Sequence, residues 1–312
     1  MNLPSHVTLV DVGPRDGLQN EKQPVDTATK VELVHRLQAA GLREIEVTSF
    51  VSPKWVPQMA DNTAVLMGVR RAPGVRTSVL VPNLKGLEGV LALPPEARPD
   101  EIVVFGAASE AFSQRNINCS VAESIDRFAP VVEQARAAGL KVRAAISCAL
   151  GCPYQGEVTP DEVERVVVRM KAIGVDHCGV ADTIGVGTPR RVQAAMERAL
   201  RHFPLVEVSG HFHDTYGQAV ANVMACLEMG IHQFDTSVAG LGGCPYAKGA
   251  TGNVATEDVV FLLQGLGIPT GIDLEALVDT AAFISGALGR KPVSRSANAL
   301  LARRPQPAGV SA

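Results

Sequence analysis

The residues of this sequence best suited to chemistry begin with two imidazoles one position apart. His211 and His213 lie in Ser209-Gly210-His211-Phe212-His213-Asp214-Thr215, directly after the apolar run 205–208, so the stretch reads as the carboxyl end of a buried strand. Successive strand side chains point to opposite faces, so the two histidines share one face and can converge on a single ion. Neutral imidazole is a common ligand for divalent transition metals. Alone, the motif reads equally well as two hydrogen-bonded polar residues at a strand end. What ends the other strands decides between the two.

After the first strand comes Gly13-Pro14-Arg15-Asp16-Gly17-Leu18-Gln19-Asn20. Two imidazoles and the Asp16 carboxylate leave an octahedral ion with open positions for substrate or water. Such an ion lowers the pKa of a bound hydroxyl or polarises a carbonyl. Arg-Asp-Gly is also ordinary turn composition. Asn253, after Gly252, offers a neutral oxygen ligand or is one more turn residue. Arg15 supplies a fixed cation able to stabilise an enolate oxygen, with a surface ion pair as the plainer role. Glu46, inside Ile45-Glu46-Val47, must be paired if it is buried. An Arg15–Glu46 pair satisfies both groups, whether it orients the arginine or only holds structure. Asp182 ends an apolar strand and is open to the same two readings. Cys244 sits in a loop with Gly240, Gly242 and Gly243, a composition that predicts mobility. A thiol there can transfer a proton once such a loop closes, or it is an ordinary exposed cysteine.

These residues need a frame. Strand patterns fall at 7–12, 44–48, 76–81, 101–105, 141–146, 177–181, 206–209 and 233–237. Between them lie helical patterns such as 27–40, 121–138, 160–173, 189–202 and 218–229, several with a glycine stop at Gly41, Gly139, Gly174 or Gly230. Thr159-Pro160 and Thr188-Pro189 start helices with a capping residue and proline at the first position. Eight strand–helix units imply an α/β chain folded as a (β/α)8 TIM barrel, with chemistry at the carboxyl ends of the strands. A doubly wound sheet is the competitor, because periodicity does not reveal closure. One catalytic domain is expected over 1–312: a barrel over about 7–257, C-terminal helices over about 258–302 covering it, and a loose tail at 303–312.

With 46% hydrophobic and 20% charged residues, the 312-residue chain has the composition of a soluble protein with a large core. A net charge of -3 provides no basic footprint for nucleic acid. No apolar stretch reaches the roughly 20 residues needed to cross a bilayer. The opening Met1–His6 resembles neither a signal nor a transit peptide, so a cytoplasmic location is expected. The six cysteines are scattered without a Cys-x-x-Cys pair and read as reduced thiols.

Longer motifs add a resemblance. Residues 11–21 (Asp-Val-Gly-Pro-Arg-Asp-Gly-Leu-Gln-Asn-Glu) and 48–59 closely resemble the 3-hydroxy-3-methylglutaryl-CoA lyase family. So do 105–110, 115–120, 147–154, 182–189, 210–214 and 240–247, and the likeness runs from about Val7 to about Gly289. The family belongs to the metal-dependent TIM-barrel lyases and Claisen-condensing synthases. The resemblance implies that Asp16, His211, His213 and Asn253 hold Mg2+ or Mn2+. It implies that Arg15 stabilises the departing enolate, supported by Glu46 and Asp182, and that Cys244 is the catalytic loop cysteine. His211 counts among the catalytic residues as well as the ligands. Arg15, Gln19, Ser49, Ala145 and Gly179 are the implied substrate-binding set. The partner is then a small acyl-CoA, with no nucleic acid or membrane, and the assembly a homodimer. The implied reaction is retro-Claisen cleavage to acetoacetate and acetyl-CoA; a synthase of the same group and a silent acyl-CoA-binding barrel are the alternatives.

Two positions depart from the pattern. Ala145 stands where the family usually has Tyr, and Gly179 where it has Ser. Both usual residues lie near the acyl group, so the pocket is expected to be larger and less polar. A bulkier substituent at C3 of the substrate is the consequence, with drift compensated by neighbours as the alternative.

Overall fold

A computed structural model describes residues 3–243 and 251–304. Eight parallel strands close into a barrel in sequence order. They are β1 Thr8–Asp11, β2 Glu44–Ser49, β3 Arg76–Leu80, β4 Glu101–Ala107, β5 Lys141–Ser147, β6 His177–Asp182, β7 Val208–Phe212 and β8 Gln233–Thr236. Closure rests on β1 pairing with β8, from Thr8 opposite Gln233 to Asp11 opposite Thr236. That pairing excludes the doubly wound sheet.

The helices are α1 Thr27–Ala39, α2 Asn62–Gly68, α3 Leu84–Leu91, α4 Glu110–Ile117, α5 Val121–Ala137, α6 Pro160–Ala172, α7 Pro189–Leu200, α8 Ala219–Glu228, α9 Thr256–Gly265, α10 Leu274–Ala287 and α11 Arg295–Arg303. Their ends follow local chemistry. Thr159 accepts from the Glu162 amide while Glu162 reaches back to the Thr159 amide, a reciprocal cap at the start of α6. Gly41, past the end of α1, takes φ +103°, and a side chain there would press on the Gly271 carbonyl. The other glycine stops share that left-handed region. α9 and α10 stand between α8 and α1, and α11 packs on both.

Parallel strands wrapped by helices are covered on both faces, which is why β6 is buried at every position. Val166, Val167 and Met170 of α6 and Val192 and Met196 of α7 fill the layer outside the strands. Burying each such side chain contributes roughly 1.5–3 kcal/mol against the unfolded chain. No described helix is long and apolar enough to cross a membrane.

One strand differs from its sequence reading. Residues 205–207 form a single tight turn in which Leu205 and Val206 are exposed, and β7 begins only at Val208. The strand thus starts two residues later than its pattern and runs through His211 to Phe212.

Candidate active site

β1 ends in a compact turn, Gly13–Gly17, in which the amides of Arg15, Asp16 and Gly17 all point at the Val12 carbonyl. The Asp11 carboxylate accepts from the Gly13 amide at 2.9 Å, so closely that a Cβ on residue 13 would stand 2.7 Å from it. The turn presents Arg15 and Asp16 side by side at the carboxyl end of the barrel. Across the mouth, β7 supplies His211, and His213 follows it. The segment around Asn253 then holds His213 in place: the Val254 amide donates to the Phe212 carbonyl, and the Asp214 amide to that of Gly252.

Asp16, His211 and His213 each offer one ligand atom, and the three atoms lie within 4.8 Å of one another. Around an octahedral ion with bonds of about 2.1 Å, ligand atoms stand roughly 3 to 4 Å apart, so little adjustment is needed. Asn253 stands beside the set: its Nδ2 donates to Asp16 Oδ2 at 2.8 Å, and its buried Oδ1 has no hydrogen-bond partner among the described residues. His213 turns Nε2 toward Asp16 Oδ2 at 3.9 Å, and its buried Nδ1 has no partner among the described residues. A carboxylate and two imidazoles gathered this closely, with buried polar atoms left unpartnered beside them, suit a cation better than a hydrogen-bonded core.

Two of the three protonation states suit a cation directly, an ionised Asp16 and a neutral His213. Burial opposes charge on Asp16, but the adjacent Arg15, His211 and His213 outweigh it and hold the carboxyl at about 2. Burial pushes His213 down to about 4, assisted by His211, so its imidazole is neutral and able to bind metal. Burial also disfavours a charged His211, yet the Asp235 carboxylate at 3.1 Å from Nδ1 raises its pKa overall. That hydrogen bond fixes the ring and leaves Nε2 for the ion, an orientation typical of metal-bound histidine.

A ring of charges links these groups from below. Arg15 donates Nη1 to Asp16 Oδ1 at 2.7 Å and Nε to Glu46 Oε1 at 2.6 Å. Arg143 of β5 donates to Glu46 Oε2 at 3.4 Å and to Asp235 Oδ1 of β8 at 2.5 Å, and Asp235 meets His211. Each buried charge therefore has a partner. The expected Arg15–Glu46 pair is present, and Arg143 and Asp235 are members that sequence reasoning missed. The signal was the same one that singled out Glu46: a charged residue inside a strand.

Asp182 stands elsewhere than expected. It is buried, but its carboxylate accepts from the amides of Val186 (3.1 Å) and Gly187 (2.7 Å), with no hydrogen bond or ion pair to Arg15 among the described residues. It shapes the loop after β6, and its carbonyl accepts from the His213 amide at 3.3 Å. Gln19 is half-buried just beyond the Arg15 turn. Ser49 ends β2 fully buried, and its Oγ has no partner among the described residues. Ala145 and Gly179 are direct neighbours in the β5–β6 register. Cys244 lies outside the described residues; the five described cysteines are buried.

Comparison with known proteins fits this arrangement. The chain is 56% identical over 303 residues to a 3-hydroxy-3-isohexenylglutaryl-CoA/hydroxy-methylglutaryl-CoA lyase of Pseudomonas aeruginosa, covering 97% of this chain and 100% of the relative. It is 51% identical over 297 residues to the mitochondrial hydroxymethylglutaryl-CoA lyase of Homo sapiens, covering 95% of this chain and 90% of the relative. The crystal structure of hydroxymethylglutaryl-CoA lyase from Pseudomonas aeruginosa superposes with a TM-score of 0.94 at 56% identity, over 97% of this chain and 100% of that one. The HMGL-like family model matches residues 6–284, the barrel together with its charged mouth, and the chain belongs to that family.

Proposed function

We propose that this protein is a carbon–carbon lyase that cleaves 3-hydroxy-3-methylglutaryl-CoA to acetyl-CoA and acetoacetate. The observation that carries the reading is the convergence of Asp16, His211 and His213 beside the buried guanidinium of Arg15. Asp16, His211, His213 and Asn253 would hold Mg2+ or Mn2+, whose charge acidifies a tertiary hydroxyl. Once a general base has taken that proton, the bond between C2 and C3 breaks, and charge moves onto the thioester oxygen of the acetyl-CoA enolate. Arg15 commits Nε to Glu46 and Nη1 to Asp16, which leaves Nη2 to meet that oxygen. Glu46, fixed on its other oxygen by Arg143, keeps the guanidinium from following the substrate outward. Cys244 is assigned the proton that returns to the enolate carbon, on the resemblance of its loop. Asp182 contributes by holding the β6 loop and His213. The single-domain organisation, the homodimer and the cytoplasmic location implied by the resemblance belong to the same proposal. Sedimentation at micromolar concentration is expected to return twice the chain mass. The test of the activity is metal-dependent release of both products from the purified chain.

We also propose that the pocket accepts a longer substituent at C3, such as an isohexenyl chain. Ala145 beside Gly179 supports it, because adjacent strands place a methyl and no side chain where the family usually has Tyr and Ser. The Pseudomonas aeruginosa relative carries both substrates in its name. Ala145→Tyr is expected to cut kcat/KM for the isohexenyl substrate by about 100-fold and that for the methyl substrate by less than about tenfold, since filling a pocket rejects the larger ligand first. Equal losses on both would remove this reading.

A further inference from the structure

Ser209 lies two residues before His211 in β7, so both side chains project from one face of the strand. That is the face on which His211 meets Asp235 and the metal-ligand cluster. Ser209 is fully buried, and its Oγ has no hydrogen-bond partner among the described residues. Gly179 is its direct neighbour in β6, and Ala145 is the neighbour of Gly179 in β5. A Cβ built on Gly179 would stand 3.3 Å from Ser209 Oγ and 3.4 Å from the Ala144 carbonyl. Three adjacent strands thus contribute a half-buried methyl, no side chain and an unsatisfied hydroxyl, all at one level just beneath His211. Buried hydroxyls rarely go without a partner, and leaving one unmade is costly.

We infer that Ser209 is a specificity-determining residue whose hydroxyl donates to an acceptor oxygen, carbonyl or carboxylate, of the acyl substrate. Gly179 places no side chain between Ala145 and that hydroxyl, so substrate entry has to open the packed space there. The inference rests on the lyase reading above and deepens it by assigning the polar contact inside the enlarged pocket. A hydroxyl stands on this face all the same, presented from the next strand. Because the bond forms with the substrate and persists through bond cleavage, its loss weakens binding and spares the chemical step.

The test uses the intact protein and 3-hydroxy-3-methylglutaryl-CoA. Ser209→Ala is expected to raise KM roughly fivefold to tenfold, the worth of one neutral hydrogen bond, with kcat within about twofold. The thermal midpoint of the ligand-free variant should stay level or rise, because an unpaired buried hydroxyl has been removed. Adding Gly179→Ser to Ser209→Ala clears the closest contact and resupplies the hydroxyl from β6, so KM should return most of the way. A KM within twofold of wild type in the single variant, or a KM loss that Gly179→Ser does not recover, overturns the inference and leaves Ser209 a structural group. Failure of the wild type to cleave the substrate is distinct: it ends the lyase reading, and this inference with it.

Discussion

Arg15→Met is expected to lower kcat by about a thousandfold while KM changes little and divalent-cation affinity is retained or tightened. The size follows from position. One preorganised donor aimed at a developing oxyanion is worth about 100- to 1,000-fold, and a full guanidinium in a water-poor site lies at the upper end. Arg15 is buried and held on two sides, so it needs no reorganisation as charge arrives. Removing a positive charge beside Asp16 should not weaken a cation at that carboxylate, which separates the oxyanion role from metal binding. Rates and Mn2+ affinity measured on the same preparation decide the matter. A loss below about tenfold would make the Arg15–Glu46 pair structural only.

The second large effect concerns stability. Arg143→Met is expected to destabilise the fold by about 3–5 kcal/mol, read as a fall in the urea midpoint. Removing one partner of a buried ion pair leaves an uncompensated charge, which costs far more than the pair contributes. Arg143 is the hub on which Glu46 and Asp235 depend. Burial pushes Glu101, which also faces Arg143, up to about 7, and losing the guanidinium would drive it further. Combining Arg143→Met with Asp235→Asn should cost less than Arg143→Met alone, because the stranded carboxylate is neutralised. A single-variant cost below about 1 kcal/mol would contradict the ring as described.

Much of this was legible in the chain. Eight alternating units, the His211-x-His213 face and the Arg15–Asp16 turn were readable because strand periodicity and turn chemistry act locally. Closure was not, since it depends on β1 finding β8 more than two hundred residues later. Arg143 and Asp235 escaped for a related reason. Lys141-Val142-Arg143 looks like the solvated start of a strand, and only the closed barrel turns that arginine inward toward β2 and β8. Asp182 was misplaced because a carboxylate at a strand end has two destinations, a neighbouring strand or its own loop. Gly185-Val186-Gly187, three to five residues on, was the local cue: small residues and free amides curl back around the carboxylate. At 205–208, hydrophobicity alone could not separate strand from turn.

The most direct measurement is turnover by metal-stripped and metal-restored protein. The purified chain is treated with chelator, supplied with Mg2+ or Mn2+, and given 3-hydroxy-3-methylglutaryl-CoA, with acetyl-CoA and acetoacetate followed by mass spectrometry. The predicted result is equimolar release of both products that appears with the cation and vanishes without it. Absence of both products, with one cation shown to be bound per chain, would contradict the proposed activity while leaving the Asp16–His211–His213 site in place.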